Sequence, residues 1–458
     1  MRLLLIVVLP ALFVATAVQE TAAPSSNPLA LEPADNLYHS NPKHIWNQLY
    51  DALFVRKASN GVKYGVDTLD PLLWDDTEYL LVGSSHQRAL TVLDEFLRTH
   101  AERQVRDPLK RAIFQHDLWA IFDWSARRSD THPTERRELQ IRLAEVLRRL
   151  ALTSEEIKSL PDNYAQAVAS GDFAKEYDPT TRHGAFLPPD LLQPRSPWVC
   201  IGGNGMGPVA EEHVSEFSGR SRFFVFIRLT QGRKATFDYF RTLWNFPPPW
   251  EPHPGDPYQV VLSQDLPQFP AGTQVALVRQ MTLFDRNGAL VSAPITESVQ
   301  IRAYRTISTR HDENDVGVDW PAARTEQDFY ETRLSRARLF ADKAGGLVAV
   351  SPGEKEFPIF KTQGQDVFES SPQEPDSPNR YDNVILNRCA DCHSAPGINS
   401  LQSRRQLLKP NPLQHDADTG DETSGASWWE DEETIVWKQR QYDWGLLNDY
   451  WSASTEPH

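Results

Sequence analysis

Apolar residues recur with the period of a helix in the first third of the chain. Leu90, Leu93 and Leu97 stand three and four residues apart, and the segment 138–150 repeats this spacing. Such a stripe buries one face of a helix against a core and leaves the other face in water. We therefore expect a predominantly α-helical domain over residues 37–184.

The pattern changes after residue 185, where prolines cluster and the helical period ends. Short runs rich in aromatic and β-branched residues follow, at 223–229, 259–262, 274–284, 289–291 and 298–305. Asn287 and Gly288 tolerate positive φ and predict a hairpin turn between two of these runs. The pattern predicts a central antiparallel β domain of at least four strands within residues 185–322.

Charged residues with a helical period resume at 326–343, and the glycine pair at 345–346 is a typical helix stop. This predicts a helix and connector over residues 323–363, followed by a mostly α segment over 364–458. The expected fold class is α+β multidomain, with an N-terminal α-helical domain, a central antiparallel β domain and a C-terminal mostly α segment.

That last segment contains the pentapeptide Cys389-Ala390-Asp391-Cys392-His393, which has the spacing C-x-x-C-H. Two thiols three positions apart can form thioethers with the two vinyl groups on one edge of a porphyrin. The histidine that follows can then bind the iron. The motif predicts one covalent haem c, attached through Cys389 and Cys392, with His393 as the proximal ligand.

Two other chemistries use similar spacings. Structural zinc takes four ligands from paired clusters, and the only further cysteine, Cys200, lies far upstream. A thioredoxin-like dithiol follows a strand in a β-α-β unit, whereas a proline-rich segment at 370–378 precedes this motif. Both alternatives stay open but are disfavoured. Cys200 is expected to be buried and inert, with a reactive or intermolecular thiol as the alternative.

The N-terminus predicts export, which covalent haem attachment in bacteria requires. An apolar run at 3–14 precedes residues 15–17, Ala-Thr-Ala, which form the small-x-small pattern of a cleavage site. The run is shorter than the ~18 residues needed to span a bilayer. We expect a signal peptide at 1–17, a linker at 18–36, and a periplasmic or otherwise extracytoplasmic protein with no transmembrane segment after cleavage.

The balance of charge is acidic, with 62 Asp and Glu against 47 Lys and Arg and a formal net charge of −15. Nucleic acid and anionic membrane surfaces are therefore disfavoured as main partners, because both repel such a chain. An acidic stretch at 416–433 is a candidate docking surface for a basic redox partner protein. A solvated loop is the alternative.

The attachment motif resembles that of the c-type cytochromes, and the resemblance covers only residues 364–458. Gly364 and Phe368 are similar to the Gly-x-x-x-Phe of the first cytochrome helix, and residues 428–451 match the place of the closing helix. The resemblance implies single-electron transfer through the attached haem.

The ligand opposite His393 is not given by this resemblance. Class I cytochromes place a methionine after the attachment motif, but Met1, Met206 and Met281 all precede it. The iron must take another ligand or stay five-coordinate. Met206, in a glycine-rich loop, and His415, downstream of the motif, are the candidates for the distal ligand, whereas Met281 lies in a strand pattern and is expected in the core.

Basic and aromatic residues after the motif are candidates for further haem contacts. Arg404, Arg405 and Lys409 could pair with the haem propionates, with a solvated helix face as the alternative. The tryptophan pair at 428–429 could pack on the porphyrin or belong to an ordinary core.

The favoured function is that of an exported monohaem c-type cytochrome-like protein that transfers single electrons to an unidentified redox partner protein. A haem peroxidase-type enzyme with an open distal site is one alternative. Another is an extracytoplasmic binding or scaffold protein in which haem is a sensor or structural group. An exposed aromatic groove around Trp244, Phe246 and Trp250 would support the latter. No nucleotide-binding or hydrolase motif in the sequence assigns catalytic residues.

Overall fold

The apolar stripes of the first third of the chain do form helices in a computed structural model of the protein. The residues that the structure describes are 36–57, 63–65, 67, 78–127, 131–181, 186–202, 207–247, 250–253, 255–263, 265–307, 326–356, 383–386, 393, 397–401, 409–410 and 428–453. All of them belong to one compact unit, Ala34–His458.

The N-terminal helices are α1 (Ile45–Phe54), α2 (Gly83–Arg98), α3 (Pro108–Ala126), α4 (Pro133–Leu150), α5 (Ser154–Lys158) and α6 (Asn163–Ser170). Helix α3 lies at the centre of this layer, and all of its residues from Ala112 to Ala126 are buried. It begins where local chemistry favours it, because the Asp107 side chain accepts hydrogen bonds from two free backbone N–H groups and Pro108 occupies the first turn.

A seven-stranded sheet follows the helices, with strand order β10-β9-β8-β7-β4-β3-β13. Its strands are β3 (Val199–Gly202), β4 (Ser221–Arg228), β7 (Gln274–Phe284), β8 (Leu290–Tyr304), β9 (Gln327–Leu334), β10 (Leu347–Ala349) and β13 (Lys409–Pro410). Every pair of neighbours in it is antiparallel. Two-stranded sheets pair β1 (Arg56–Lys57) with β2 (Lys63–Tyr64), β5 (Trp250–His253) with β6 (Asp256–Leu262), and β11 (Lys355–Glu356) with β12 (Asn383–Val384). The mixed α+β architecture expected from the sequence is confirmed.

Both faces of the sheet are buried, which explains the continuous apolar run in β4. Phe224 and Phe226 join a core shared with α3, α5 and α6. The alternate residues Val225 and Ile227 point to the opposite face and join a core shared with α8 (Arg233–Trp244). The layer on the α8 side also contains α7 (Glu211–Glu216), and it is the layer that meets the haem-motif segment.

The second half of the β7–β8 hairpin is one long strand rather than the two short strands predicted at 289–291 and 298–305. The expected turn is present, with Gly288 at φ 78°. The register between β7 and β8 shifts around Gln280, and this irregularity accommodates Pro294 inside β8, where a proline would otherwise interrupt the pairing.

The prediction of a helix over 326–343 is wrong for its first half, because Gln327–Leu334 form strand β9. This strand pairs with β8 on one side and β10 on the other. Its charges are not a solvated helix face: Asp328, for example, is paired with Arg305 at 3.0 Å. Buried charges that find partners in neighbouring strands allow a charged segment to be an inner strand. Only the short helix α9 (Arg336–Phe340) remains of the prediction.

Two helices end the described chain, α10 (Trp428–Gln439) and α11 (Tyr442–Ala453). Helix α11 packs Trp444, Leu447 and Trp451 into the N-terminal helical core. The last segment therefore contacts the first, across most of the sequence. No helix in the described ranges is long and apolar enough to cross a membrane.

Candidate haem site

The structure describes only part of the predicted site. His393 is described, whereas Cys389, Cys392, Met206, His415, Arg404 and Arg405 lie outside the described residues. The predicted signal peptide, the linker up to residue 35 and the cytochrome-like pair Gly364 and Phe368 lie outside them too. His393 and its contacts are therefore the described part of this site.

A single hydrogen bond fixes the orientation and protonation of the His393 ring. Its Nδ1 lies 2.8 Å from the backbone carbonyl oxygen of Ser400. A carbonyl can only accept, so Nδ1 carries the proton and Nε2 of the neutral ring keeps its lone pair. A histidine that binds a metal through Nε2 typically has this second-shell bond on its other nitrogen.

Ser400 is itself held on the sheet. Its hydroxyl accepts a hydrogen bond from Arg302 Nη1 (2.9 Å), contacts the Tyr304 hydroxyl and donates to the Gly397 carbonyl (2.8 Å). Arg302 and Tyr304 are alternate residues of β8 and therefore share one face of the sheet. The position of the His393 ring is thus determined by a rigid inner strand.

Two further contacts dock the same segment. Ile398 is fully buried in the core on the α8 side of the sheet, and its backbone N–H donates to Gln268 Oε1 at 2.7 Å. Gln327 Nε2 of β9 donates to the backbone carbonyl of His393 at 3.3 Å. The residues after the attachment motif are therefore anchored to several elements of the sheet region.

A second histidine, His213, lies close to His393. It is on helix α7, 180 positions earlier in the sequence. The two imidazole rings are nearly parallel, at 16°, with their centroids 6.2 Å apart. The His213 ring also packs against Phe223 of β4 (5.4 Å between centroids). The fold thus brings together two imidazoles that the sequence keeps far apart.

Burial, together with nearby guanidinium groups, holds both imidazoles neutral by lowering their pKa values. Burial among protein atoms and the nearby guanidinium of Arg302 lower the pKa of His393 well below its usual value. Burial, Arg302 and Arg279 lower the pKa of His213 to about 4. Both residues are half-buried when backbone and side chain are taken together. Neutral imidazoles are the form that binds metals.

Arg302 is the most unusual charge of the site. The residue is 7% exposed. Among the described residues its guanidinium has no carboxylate partner in ion-pair distance, and its side-chain hydrogen bond goes to the Ser400 hydroxyl. A buried cation is costly unless an anion compensates it. Arg302 is therefore suited to receive an anionic group of a ligand bound beside His393.

Other predicted residues contribute less. Met281 is 1% exposed in the core, as expected, and Cys200 is fully buried in β3, as expected for an inert thiol. Lys409 lies in β13, while its side chain and those of Trp244, Trp250 and the pair at 428–429 lie outside the described parts. Phe246 is half-buried against the core on the α8 side. No cluster of three or more His, Cys, Asp or Glu side chains suited to a metal ion occurs within the described ranges.

His213 and Arg302 were missed by sequence reasoning. Neither belongs to the local motif, and each is brought to His393 only by the tertiary fold. His213 stands seven residues after the candidate Met206, in a short acidic helix without a ligand-like spacing. The one signal available was that a haem segment without a downstream methionine has to borrow a ligand from elsewhere.

Comparison with known proteins adds nothing to this geometry. No protein-family model, curated protein or solved structure matches the chain. The function has to be inferred from the residues of the site.

Proposed function

We propose that the protein is an exported electron carrier that binds one haem c covalently through Cys389 and Cys392, with His393 as the proximal ligand. The observation that carries the proposal is the hydrogen bond from His393 Nδ1 to the Ser400 carbonyl, which leaves Nε2 as the donor atom for the iron. When bound, the haem supplies reversible one-electron reduction of its iron: one electron comes from a reduced partner protein and passes to an oxidised one.

The residues around His393 fit this group. Ser400 orients the imidazole, and the sheet holds Ser400 through Arg302 and Tyr304. The buried guanidinium of Arg302 offers a charge-assisted hydrogen bond to a haem propionate. The peroxidase-type and scaffold alternatives have no comparable observation in their favour among the described residues.

The first experiment asks whether haem is attached. The full-length chain is produced together with the haem-attachment machinery, denatured, and examined by haem staining and intact mass. We expect one haem per chain in the wild type and none that survives denaturation in the double variant Cys389→Ala/Cys392→Ala. The matched control is Cys200→Ala, which removes the buried thiol of β3 and should leave the haem in place.

Two results would refute the proposal. One is a mature protein without the mass of haem, or with zinc in place of iron. The other is a haem that stays covalently bound when both cysteines are replaced.

Stoichiometric titration with a chemical reductant and oxidant then tests the electron count, for which we expect one electron per chain. Rapid turnover of peroxide by the same preparation would instead support the peroxidase-type alternative.

A further inference from the structure

We propose that His213 is the second axial ligand of the haem iron, opposite His393, so that the iron carries two imidazoles. This inference rests on the proposed function and names the ligand that the sequence left open. It assigns a role to helix α7, which lies in the sheet region and not in the haem segment. The two halves of the coordination sphere would then come from positions 180 residues apart.

The distance between the rings is the first argument. His39 and His44 form a second parallel pair in the same molecule, also at 16°, but with centroids 4.0 Å apart, which is direct stacking. The rings of His213 and His393 are parallel at 6.2 Å. The gap between their centres is therefore wider than in the directly stacked pair, while the two rings keep a common orientation.

The width of this gap agrees with metal coordination. Bonds from imidazole nitrogens to a metal are about 2.0–2.1 Å. Two such bonds on opposite sides of one ion, together with the distance of ~1 Å from each nitrogen to its ring centroid, require a centroid separation of about 6 Å. The observed 6.2 Å fits.

The second argument is that the His213 ring is held in place while its nitrogens are not used. Among the described residues neither nitrogen forms a hydrogen bond, although protein atoms surround the ring densely enough to lower its pKa. Phe223 packs against one side of the ring. The backbone hydrogen bonds at the end of helix α7 include Phe217 N–H to the His213 carbonyl (3.3 Å) and Gly219 N–H to the Val214 carbonyl (2.8 Å). A donor group is thus presented in a fixed position without a hydrogen-bond partner in the described part of the chain.

Spectroscopy of the wild-type holoprotein is the primary test. Two imidazole ligands give a six-coordinate low-spin iron without the charge-transfer band of a methionine ligand. Because the two ring planes are 16° apart, we expect a rhombic low-spin EPR signal of the ferric protein, rather than the single large-g signal typical of perpendicular imidazoles. A high-spin spectrum, or a methionine band that would point to Met206, would overturn the inference.

Substitution provides the second test. His213→Ala should convert the iron from low-spin to high-spin and create a site that binds carbon monoxide or cyanide rapidly, and added imidazole should restore the low-spin spectrum. The matched control is His100→Asn, at an exposed position whose backbone φ of 50° asparagine tolerates. This variant should keep the wild-type spectrum, and circular dichroism checks that both variants are folded.

The outcomes separate this inference from the proposed function. A protein without haem, or one that contains zinc, refutes both. A protein with covalent haem whose low-spin spectrum survives His213→Ala refutes only the role of His213. If His213→Ala fails to fold, the wild-type EPR and optical spectra still decide between a second imidazole, a methionine and a vacant position.

Discussion

At the scale of single residues, Gly397 sets the tightest limit on substitution near His393. Its φ is +51°, and a Cβ atom placed on it would lie 2.0 Å from Gln268 Oε1. That oxygen accepts the hydrogen bond from the Ile398 N–H, which docks the segment that carries Ser400. The glycine is therefore needed both for its backbone conformation and for the close approach of Gln268.

Gly397→Ala should destabilise the protein by about 2–4 kcal/mol, since it combines a left-handed alanine with the displacement of Gln268. Gly171→Ala is the matched control: φ is +80° there, but nothing lies within 4 Å of the added Cβ, and we expect a loss of about 1 kcal/mol. Urea unfolding measures both. In a Gln268→Ala background the cost of Gly397→Ala should fall; an unchanged cost would contradict the role of Gln268.

The sequence predicted the residues of the local motif and missed their tertiary partners. The spacing C-x-x-C-H is local, so His393 could be assigned without a structure. Its partners could not, because Arg302 reaches Ser400 across 98 positions and His213 lies on helix α7, 180 positions before His393. Only the strand order, which places β4, β7, β8 and β9 side by side, brings these residues to one face of the sheet.

At the scale of elements, helix α6 supports the irregular part of β8. The side chain of Asn163 is fully buried. Its Oδ1 accepts from the Thr296 N–H at 2.7 Å, and its Nδ2 donates to the Thr296 carbonyl at 2.9 Å and to the Gly345 carbonyl at 3.0 Å. Where the ladder between β7 and β8 shifts register, an asparagine side chain thus satisfies the backbone.

Asn163→Ala should therefore lower the free energy of unfolding by about 2–4 kcal/mol, because buried backbone groups lose their partners. Gln166→Ala, an exposed position of the same helix, should change it by less than about 0.5 kcal/mol. Asn163→Asp should be as damaging as alanine, since a carboxylate cannot donate to the two carbonyls. Urea unfolding and hydrogen exchange at Thr296 N–H measure these effects, and an aspartate with wild-type stability would contradict them.

The same element scale explains what periodicity could and could not predict. Helices α2 and α4 were predictable because in each of them one apolar stripe packs on one core. Strand β9 was not, because its charged residues are paired across the sheet, as Asp328 is with Arg305. The single strand β8 was not, because the partner that bridges its irregularity, Asn163, lies 133 positions earlier.

At the scale of the whole molecule, a buried charge cluster joins the last helices to the first layer. Lys438 of α10 has a fully buried side chain and pairs with Asp123 of α3 at 2.9 Å and with Asp443 of α11 at 2.6 Å. Arg220, just before β4, pairs with Asp123 at 2.8 Å. Burial raises the pKa of Asp123 and outweighs the ion pairs with Lys438 and Arg220 that lower it. The cluster is formally neutral, with two cations and two carboxylates.

Lys438→Met should destabilise the protein by about 3–5 kcal/mol, because Arg220 then faces two carboxylates alone and one buried negative charge is left uncompensated. A carboxyl whose pKa is raised on folding stabilises the fold less as pH rises from about 4 to neutral, so the loss should be larger at pH 8 than at pH 5. Lys234→Met removes an ion pair with Asp238 whose lysine is 86% exposed, and should cost less than about 1 kcal/mol at either pH. Thermal unfolding at the two pH values tests this; equal losses would contradict the buried-charge explanation.

The lengths of the strands across the main sheet have a consequence for self-association. The longest strand, β8, has 15 residues and lies inside the sheet, whereas the two outermost strands, β10 and β13, have 3 and 2 residues. An outer strand presents open hydrogen-bonding groups on which another chain can add and start a fibril. Here the outer strands offer only 3 and 2 residues for such pairing. One of them contains Pro410, which has no backbone N–H to donate. The short described edge strands thus disfavour edge-to-edge polymerisation of this sheet.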